Sequence, residues 1–500
     1  GVVTATSFAG SGANLTGIEA APTIQGTALG AMPIDRAVCL LDDGKVGIVT
    51  GTKSIWGGEQ TLPGPEVLSG FRDIGIAEGG GYIVMAFQNN LGVGKCIVGT
   101  RSGTTITWGT AVNIENTGIS GIMQIIYEPT GGKFIVGYTE NSVGKVKLVT
   151  VSGTGGSATV SYGSAVVYEN ANVERMKMIS IGGGKFAMNY RPGSNICYGR
   201  VGQLSGTTIT FGNSETLSGS GSDWPFVGWD PVAQKIIFMM RDGGNANTGT
   251  SRTGTVSGTA ITLGSKIMTF GDQAIAEEAM CYDTDRNKII ITGYNASASK
   301  LQYVVGTIDG SGNLTFTDRE NTGTNIGAEE QYLTYDAGNK KYIMIFRGGG
   351  GVWQITGEMA PLDAEYPDLI TWSADKSVYS GGTGVDCCMV NDNNNALVMT
   401  YAANANSNRI TTRTEQFRSS NLSGTGDNYI GFSKAAYTDG QTATIKVVGN
   451  VATGQVGLTT GEKYYIQGDG GLVSYYNANY APASNVLAGT AISHDQLLIK

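Results

Sequence analysis

Short apolar runs and polar turns alternate along most of this 500-residue chain. One phrase recurs: an apolar run, a polar turn, often a lysine, then a second apolar run. It reads LLDDGKVGIV at Lys45, AEGGGYIVMAF at Gly81, YEPTGGKFIVGY at Lys133 and ISIGGGKFAMNY at Lys185. It returns as WDPVAQKIIFMM at Lys235, YDTDRNKIIITG at Lys288, YDAGNKKYIMIF at Lys341 and VNDNNNALVMTY at Ala396. These positions lie 36, 52, 52, 50, 53, 53 and 55 residues apart. Each phrase predicts a β-hairpin, because Ile, Val, Phe, Tyr and Met favour strands while Asp, Asn, Gly and Pro accept the dihedral angles of a tight turn. A later strand signature follows most anchors, as in TTITWG (Thr104–Gly109), ATVSYG (Ala158–Gly163), TTITFG (Thr207–Gly212) and AITLG (Ala260–Gly264). Another strand precedes it, such as KCIVGT or LQYVVGTI, so a full repeat is four short antiparallel strands.

Four-stranded repeats at this period predict an all-β chain built as a β-propeller. One such sheet cannot bury both faces alone, whereas sheets packed around an axis bury them and leave only short edges. The repeat around Ala37–Trp56 is abbreviated, and the one around Asp386–Phe417 lacks a clear fourth strand. The reading is eight blades, alternatively seven if those two short repeats share one sheet. Residues 1–35 read as an extended arm or linker, 36–427 as the propeller and 428–500 as a small separate β module.

Composition narrows the chemistry. Glycine contributes 77 residues, yet it has no G-X-Y period, so collagen is excluded. Hydrophobic content of 40% argues against a wholly disordered chain. No apolar run is long enough to span a membrane as a helix. The first residues lack the basic-then-apolar pattern of a secretory leader, and Gly1 reads as the start of a processed or trimmed product. A net charge of -8 disfavours nucleic-acid binding, which needs a basic surface. The six cysteines form no C-x-x-C pair, and His494 is the one histidine, so a zinc site or a histidine-based triad is not expected. No cofactor and no metal are expected. Free thiols suit assembly in a reducing cytoplasm, and adjacent Cys387 and Cys388 point to opposite faces of a strand.

The two ends carry phrases of a different kind. VTATSFAGSGANLTGI (Val3–Ile18) resembles a linker phrase of bacteriophage tail-fibre and other virion proteins. GFSKAAYTDGQTATIKVVGNVATGQVGLTTGEKYYIQGDGGLVS, with AGTAISHDQLLIK after it, resembles a small β module that often ends such proteins. The resemblance covers about a fifth of the chain and leaves the propeller unmatched. It implies a virion-attached appendage, often trimeric, that displays a module at the particle surface.

Several residues invite a chemical reading. Asp283-Thr-Asp285-Arg-Asn287 has the D-x-D-x-N spacing of a calcium loop. Equivalent positions read DPVAQ, DAGNK and EPTGG, which keep a turn without the ligands, so a hairpin turn is the simpler account. Asn391–Asn395 is read the same way. Charged residues recur where innermost strands would begin: Asp35 and Arg36, Arg72 and Asp73, Glu174 and Arg175, Asp223, Glu277 and Glu278, Glu330, and Asp386. They are expected at one mouth of the axial channel, as a solvated rim of mixed sign or as an ion or sugar site. Trp224 is the glycan-stacking candidate, since tryptophan presents an apolar face with a polar edge. Trp229 matches Tyr282 and Tyr335 in other repeats and reads as packing, as do Trp108 and Trp372.

These observations predict a non-enzymatic phage virion protein, a fibre, spike or capsid-decoration appendage for attachment or host-surface binding. Its expected partners are other virion proteins, two further copies in a homotrimer and a host-surface glycan. Two alternatives stand beside it: a polysaccharide-degrading tail enzyme using propeller-face carboxylates, and a cellular surface-adhesion propeller.

Overall fold

The computed structural model describes residues 22–28, 32–40, 44–49, 54–64, 67, 74–115, 118–119, 123–219, 221–324, 327, 329–337, 340–360, 366–380, 387–392, 396–403, 409–417, 429–438, 440–466, 471–474 and 486–500. Among them there is no α-helix. The chain divides into two compact units, Ser54–Phe417 and a second made from Gly1–Lys53 with Arg418–Lys500.

The first unit is a β-propeller of seven antiparallel sheets. Its innermost strands are Ile74–Gly79, Gln124–Glu128, Val173–Gly182, Asp223–Asp230, Glu278–Asp283, Glu329–Asp336 and Cys387–Asp392, which number blades 1 to 7. Each packs on the next, and Cys387–Asp392 packs back on Ile74–Gly79, so the ring is closed. The second strands are the anchors of the sequence repeat. Lys133–Glu140, Lys235–Asp242, Lys288–Asn295 and Lys341–Gly348 are buried along almost their whole length. Both faces of such a strand meet a neighbouring blade, which is why KIIFMM and KYIMIF are continuously apolar. The outermost strands Thr105–Trp108 and Thr208–Phe211 instead alternate exposed and buried positions. In six blades this fourth position is broken into two short pieces, whereas blade 4 has one strand, Ala260–Met268.

Seven blades is the smaller of the two counts expected from sequence, and the topology explains the difference. Ser54–Trp56 and Gln60–Thr61 pair with the third strand of blade 7, with Phe417 opposite Ser54 and Thr411 opposite Thr61. The chain just before blade 1 therefore completes blade 7. The other half of the abbreviated repeat does not join the ring. Ala37–Leu40 pairs with Val46–Ile48 and with Tyr429–Ser433, inside the second unit. The 36-residue spacing has too few residues for a whole blade. The propeller boundaries thus move from 36 and 427 to 54 and 417.

The second unit holds two five-stranded sheets. One runs Thr23–Thr27, Thr442–Lys446, Tyr429–Ser433, Ala37–Leu40, Val46–Ile48; the other runs Val451–Ala452, Leu497–Ile499, Leu487–Ala491, Lys463–Ile466, Leu472–Ser474. Cys39, Phe432, Tyr464, Ile466, Leu497 and Ile499 share one core. The expected N-terminal arm is corrected here: Thr23–Thr27 is a strand in register with Thr442–Lys446. Asp35, with φ of 56°, ion-pairs with Lys446 at 2.6 Å and accepts from the Thr453 hydroxyl at 2.8 Å. Residues 1–21, including the Val3–Ile18 phrase, lie outside the described residues. The C-terminal module is therefore assembled from both chain ends, and the propeller is an insertion between its third and fourth strands in sequence.

Candidate functional site

Antiparallel pairing brings the start of each innermost strand beside the end of the second strand. This places Glu174, Arg175, Asp223, Glu277, Glu278 and Glu330 at one end of the ring, where the sequence reading put them. Asp35 and Arg36 do not join them, because they belong to the other unit. Arg72, Asp73 and Asp386 lie outside the described residues.

Three blades are irregular here. The register shifts between Val173 and Arg175, between Asp223 and Phe226, and between Glu329 and Tyr332. Trp224 and Glu330 sit in the left-handed region, with φ of 54° and 50°. A bulge inserts an extra residue and re-aims the side chains beside it, and a left-handed φ is unusual for a bulky residue such as tryptophan. The bulges turn these residues toward a cavity lined by Gln124, Arg175, Lys177, Trp224, Glu277 and Tyr332, from blades 2 to 6. The cavity is narrow, about 50 Å³, enough for a few waters and too small for a sugar ring. Lys177 of blade 3 reaches blade 6, where its ammonium donates to the Tyr332 hydroxyl at 3.0 Å and lies 4.4 Å from that ring's centre.

The blade 3–4 side of this mouth is rich in guanidinium. Arg175 and Arg191 are directly opposed in the blade 3 ladder, and Asp223 and Arg241 in the blade 4 ladder. All three arginines converge on Asp223, at 2.6 Å from Arg175 Nε, 3.2 Å from Arg191 Nε and 3.5 Å from Arg241 Nη2. Arg191 also pairs with the more exposed Glu174. The Trp224 ring stacks on the Arg175 guanidinium, 3.5 Å from its centre.

The blade 5–6 side carries acids. The Glu277 carboxylate accepts the Glu330 backbone N–H and so fixes the bulge there. Glu278 is only 6% exposed, and neither carboxyl oxygen has a hydrogen-bond partner. Its Oε1 would lie 2.5 Å from a methyl group placed on Gly249, so the side chain is wedged against blade 4. Burial pushes its pKa well above the ordinary carboxyl range. Among the described residues no group of His, Cys, Asp and Glu is arranged to hold a metal ion.

The remaining candidates resolve simply. Asp283 Oδ1 accepts the N–H groups of Asp285 and Arg286 at 2.9 and 3.0 Å, and Oδ2 accepts the Tyr342 hydroxyl. Asp285 accepts from the Tyr335 hydroxyl at 2.7 Å. The D-x-D-x-N segment is therefore a hairpin turn clasped by blade 6, as the simpler account held. Asn391 and Asp392 end the innermost strand of blade 7, and 393–395 lie outside the described residues. Trp229 packs on the blade 3–4 core, Trp108 is buried and Trp372 lines the blade 5–6 core. All six cysteines are buried and none is in a disulfide. Burial raises the thiol of Cys39 to about 11 and those of Cys96 and Cys197 to about 12, so they stay protonated and unreactive.

Sequence reading did not single out Arg191, Arg241 and Arg347. A signal was present: each follows its hairpin lysine, Lys185, Lys235 or Lys341, by six residues, in GKFAMNYR, QKIIFMMR and KYIMIFR. That spacing places each arginine at the same level, opposite the start of its own innermost strand.

No protein-family profile and no curated protein sequence matches the chain. Solved structures similar to it include an arginine-to-alanine mutant of AofleA from Arthrobotrys oligospora, with TM-score 0.42 and 13% identity over 65% of this chain and 91% of that one. Another is the NanB sialidase of Streptococcus pneumoniae, with TM-score 0.41 and 12% identity over 73% and 70%. A third is the core factor of S. cerevisiae, with TM-score 0.47 and 11% identity over 73% and 61%. The propeller assignment stands on the closed order of the seven sheets.

Proposed function

We propose that this chain is a bacteriophage virion structural protein that displays a β-propeller for attachment or host-surface binding. One observation carries the reading: the C-terminal segment that resembles a virion module folds with the N-terminal part of the chain, and the whole propeller is inserted into that unit. A binding domain inserted into a module made from the segments that flank it suits display, because surface loops on a rigid scaffold are where binding residues gather. Buried free thiols suit assembly in the host cytoplasm before release. The chain is expected to form a homotrimer on the particle with other virion proteins. The test is an antibody against the full chain, applied to purified particles and followed by imaging. Label at a fixed appendage or capsid position supports the reading, and particles free of the protein overturn it. Mass photometry of the intact chain is expected to give trimers, and monomers alone would remove the oligomer from the proposal.

A polysaccharide-degrading reading draws on Glu277, Glu278 and Glu330, with burial pushing the Glu278 pKa well above the ordinary carboxyl range. It predicts release of reducing ends from host polysaccharide, abolished by Glu277→Gln or Glu330→Gln. A blank hydrolysis screen with the full chain removes it.

A further inference from the structure

We propose that the cleft between blades 4 and 5, at the hairpin end of the ring, binds a neutral hexose unit of a host-surface glycan through the Lys235 ammonium, the Asn287 carboxamide and the Ser311 hydroxyl. This rests on the host-binding reading above and names its ligand class and the face that takes it.

Three turns build the cleft. Asp230 to Lys235 joins the first two strands of blade 4, Asp283 to Lys288 does the same in blade 5, and Asp309 to Asn313 joins the third and fourth strands of blade 5. The last of these is enlarged. The equivalent turns of blades 1, 3 and 4 leave two residues between the strands, Gly103-Thr104, Gly206-Thr207 and Gly258-Thr259, whereas blade 5 has five. The extra residues raise one wall of a cleft of about 490 Å³, lined among others by Val232, Lys235, Tyr282, Asn287, Asp309 and Ser311. Clefts that take small molecules run from roughly 300 to 1,000 Å³. The mouth offers no such room, since its cavity is about 50 Å³ and the Trp224 ring already stacks on Arg175.

The walls are set before a ligand arrives, which lowers the ordering cost of binding. Asp309 accepts the backbone N–H groups of Ser311 and Asn313 at 2.8 and 2.9 Å, and Asp230 accepts those of Val232 and Ala233, both at 2.9 Å. Gly312 has φ of 85°, and a methyl group placed on it would lie 3.3 Å from Lys235 Nζ. The lysine of blade 4 therefore lies directly against the enlarged turn of blade 5.

Polar capacity is left over in this cleft. The Lys235 ammonium gives one of its three N–H groups to the Thr255 hydroxyl and has no ion pair among the described residues. Asn287 uses only its carbonyl oxygen, which accepts from the Tyr282 hydroxyl at 3.4 Å, so both amide hydrogens remain. The exposed Ser311 is held through its backbone, which leaves its hydroxyl to a ligand. An ammonium that only donates stands beside a carboxylate, Asp309, that only accepts. That mixture suits hydroxyl groups, which do both, and the carboxylate repels an anion. Val232, 67% exposed, and the half-buried Tyr282 ring supply apolar surface for the C–H face of a sugar.

The test titrates the full chain by saturation-transfer NMR with the methyl α-glycosides of glucose, mannose and galactose, and with D-glucuronate as the anionic probe. Saturable binding of at least one neutral glycoside, tighter than that of glucuronate, is expected. Lys235→Ala should weaken it about tenfold. Asn287→Gly, which keeps the left-handed backbone, should weaken it several-fold. Replacing residues 309–313 by the Gly-Thr turn of blade 4 should abolish it. Lys133→Ala, at the same position of blade 2, should leave it unchanged. Unfolding midpoints of all variants separate lost binding from lost structure. Binding of none of the three neutral glycosides, tighter binding of glucuronate, or equal losses in Lys235→Ala and Lys133→Ala would overturn the site. Those failures leave the particle-labelling result untouched, so the two proposals fail separately.

Discussion

The two ends of a blade handle their polar groups in opposite ways. At the hairpin end, acids are saturated by local backbone. Glu128 accepts N–H groups from Thr130, Gly131 and, across the blade boundary, Gly184. Asp230 accepts from Val232 and Ala233, and Asp283 from Asp285, Arg286 and the Tyr342 hydroxyl of the next blade. These carboxylates are buried yet fully used, so they close the turn and fasten one blade to its neighbour. At the mouth, innermost strands bulge, Trp224 and Glu330 take left-handed dihedrals inside those strands rather than in turns, like charges oppose each other and Glu278 is buried with neither oxygen bonded. The contrast teaches that one end of the ring is built for stability and the other tolerates strain in return for a particular surface.

The sharpest way to break this comparison is Asp283→Ala. It removes three hydrogen bonds to an ionised group and strands the Tyr342 hydroxyl, so a loss of about 3 kcal/mol or more is expected in urea unfolding. A loss under about 1 kcal/mol would mean that the hairpin acids are ornamental. Tyr342→Phe isolates the clasp between blades 5 and 6, with an expected loss of about 1–2 kcal/mol. Glu278→Gln should act in the opposite direction. The raised pKa means that the folded chain binds a proton more tightly than the unfolded chain does. Stability from this group is therefore complete below the ordinary glutamate pKa of about 4.3 and declines as pH rises above it. The variant should consequently unfold at higher denaturant than wild type near pH 7, and the gain should vanish near pH 4. A gain that does not change with pH would show that ionisation is not the cause. Arg241→Gln should change stability least, by under about 1 kcal/mol, because the pair is partly exposed and Asp223 keeps two other partners.

Much of this architecture was legible in the chain. The period gave the blades, and the kind of apolar pattern gave each strand's place in its blade. KIIFMM is continuous because both faces meet another sheet, while TITW and TITF alternate because one face meets water. The turn at Asp283 was also readable, since its equivalents in other repeats keep the bend without metal ligands. The assignment of residues 37–61 was not readable. Ala37–Leu40 and Ser54–Trp56 look like one shortened blade, yet their partners are Tyr429–Ser433 and Arg409–Phe417, hundreds of residues away. Local patterning gives strand character but not the partner, and where one face is buried several pairings satisfy the same pattern. The mouth was legible as a ring of charge, but its detail was not. Trp224 was singled out because tryptophan stacks on sugar rings and this one lies near a strand entry, whereas Arg191 and Arg241 were lost among the chain's 33 basic residues. Their register opposite Arg175 and Asp223 emerges only when the hairpins are aligned on their lysines.

The seam at blade 7 has a consequence for biosynthesis. Gln60 and Thr412, which meet there, are 352 residues apart in the chain. A ribosome adding roughly 5–20 residues per second needs on the order of 20–70 s to make the second after the first. Throughout that interval the early strand has no partner, and the growing array presents an unpaired edge at its free end. Nascent chains should therefore depend on chaperones until Phe417 emerges, and a chain truncated before that point should collect in inclusion bodies.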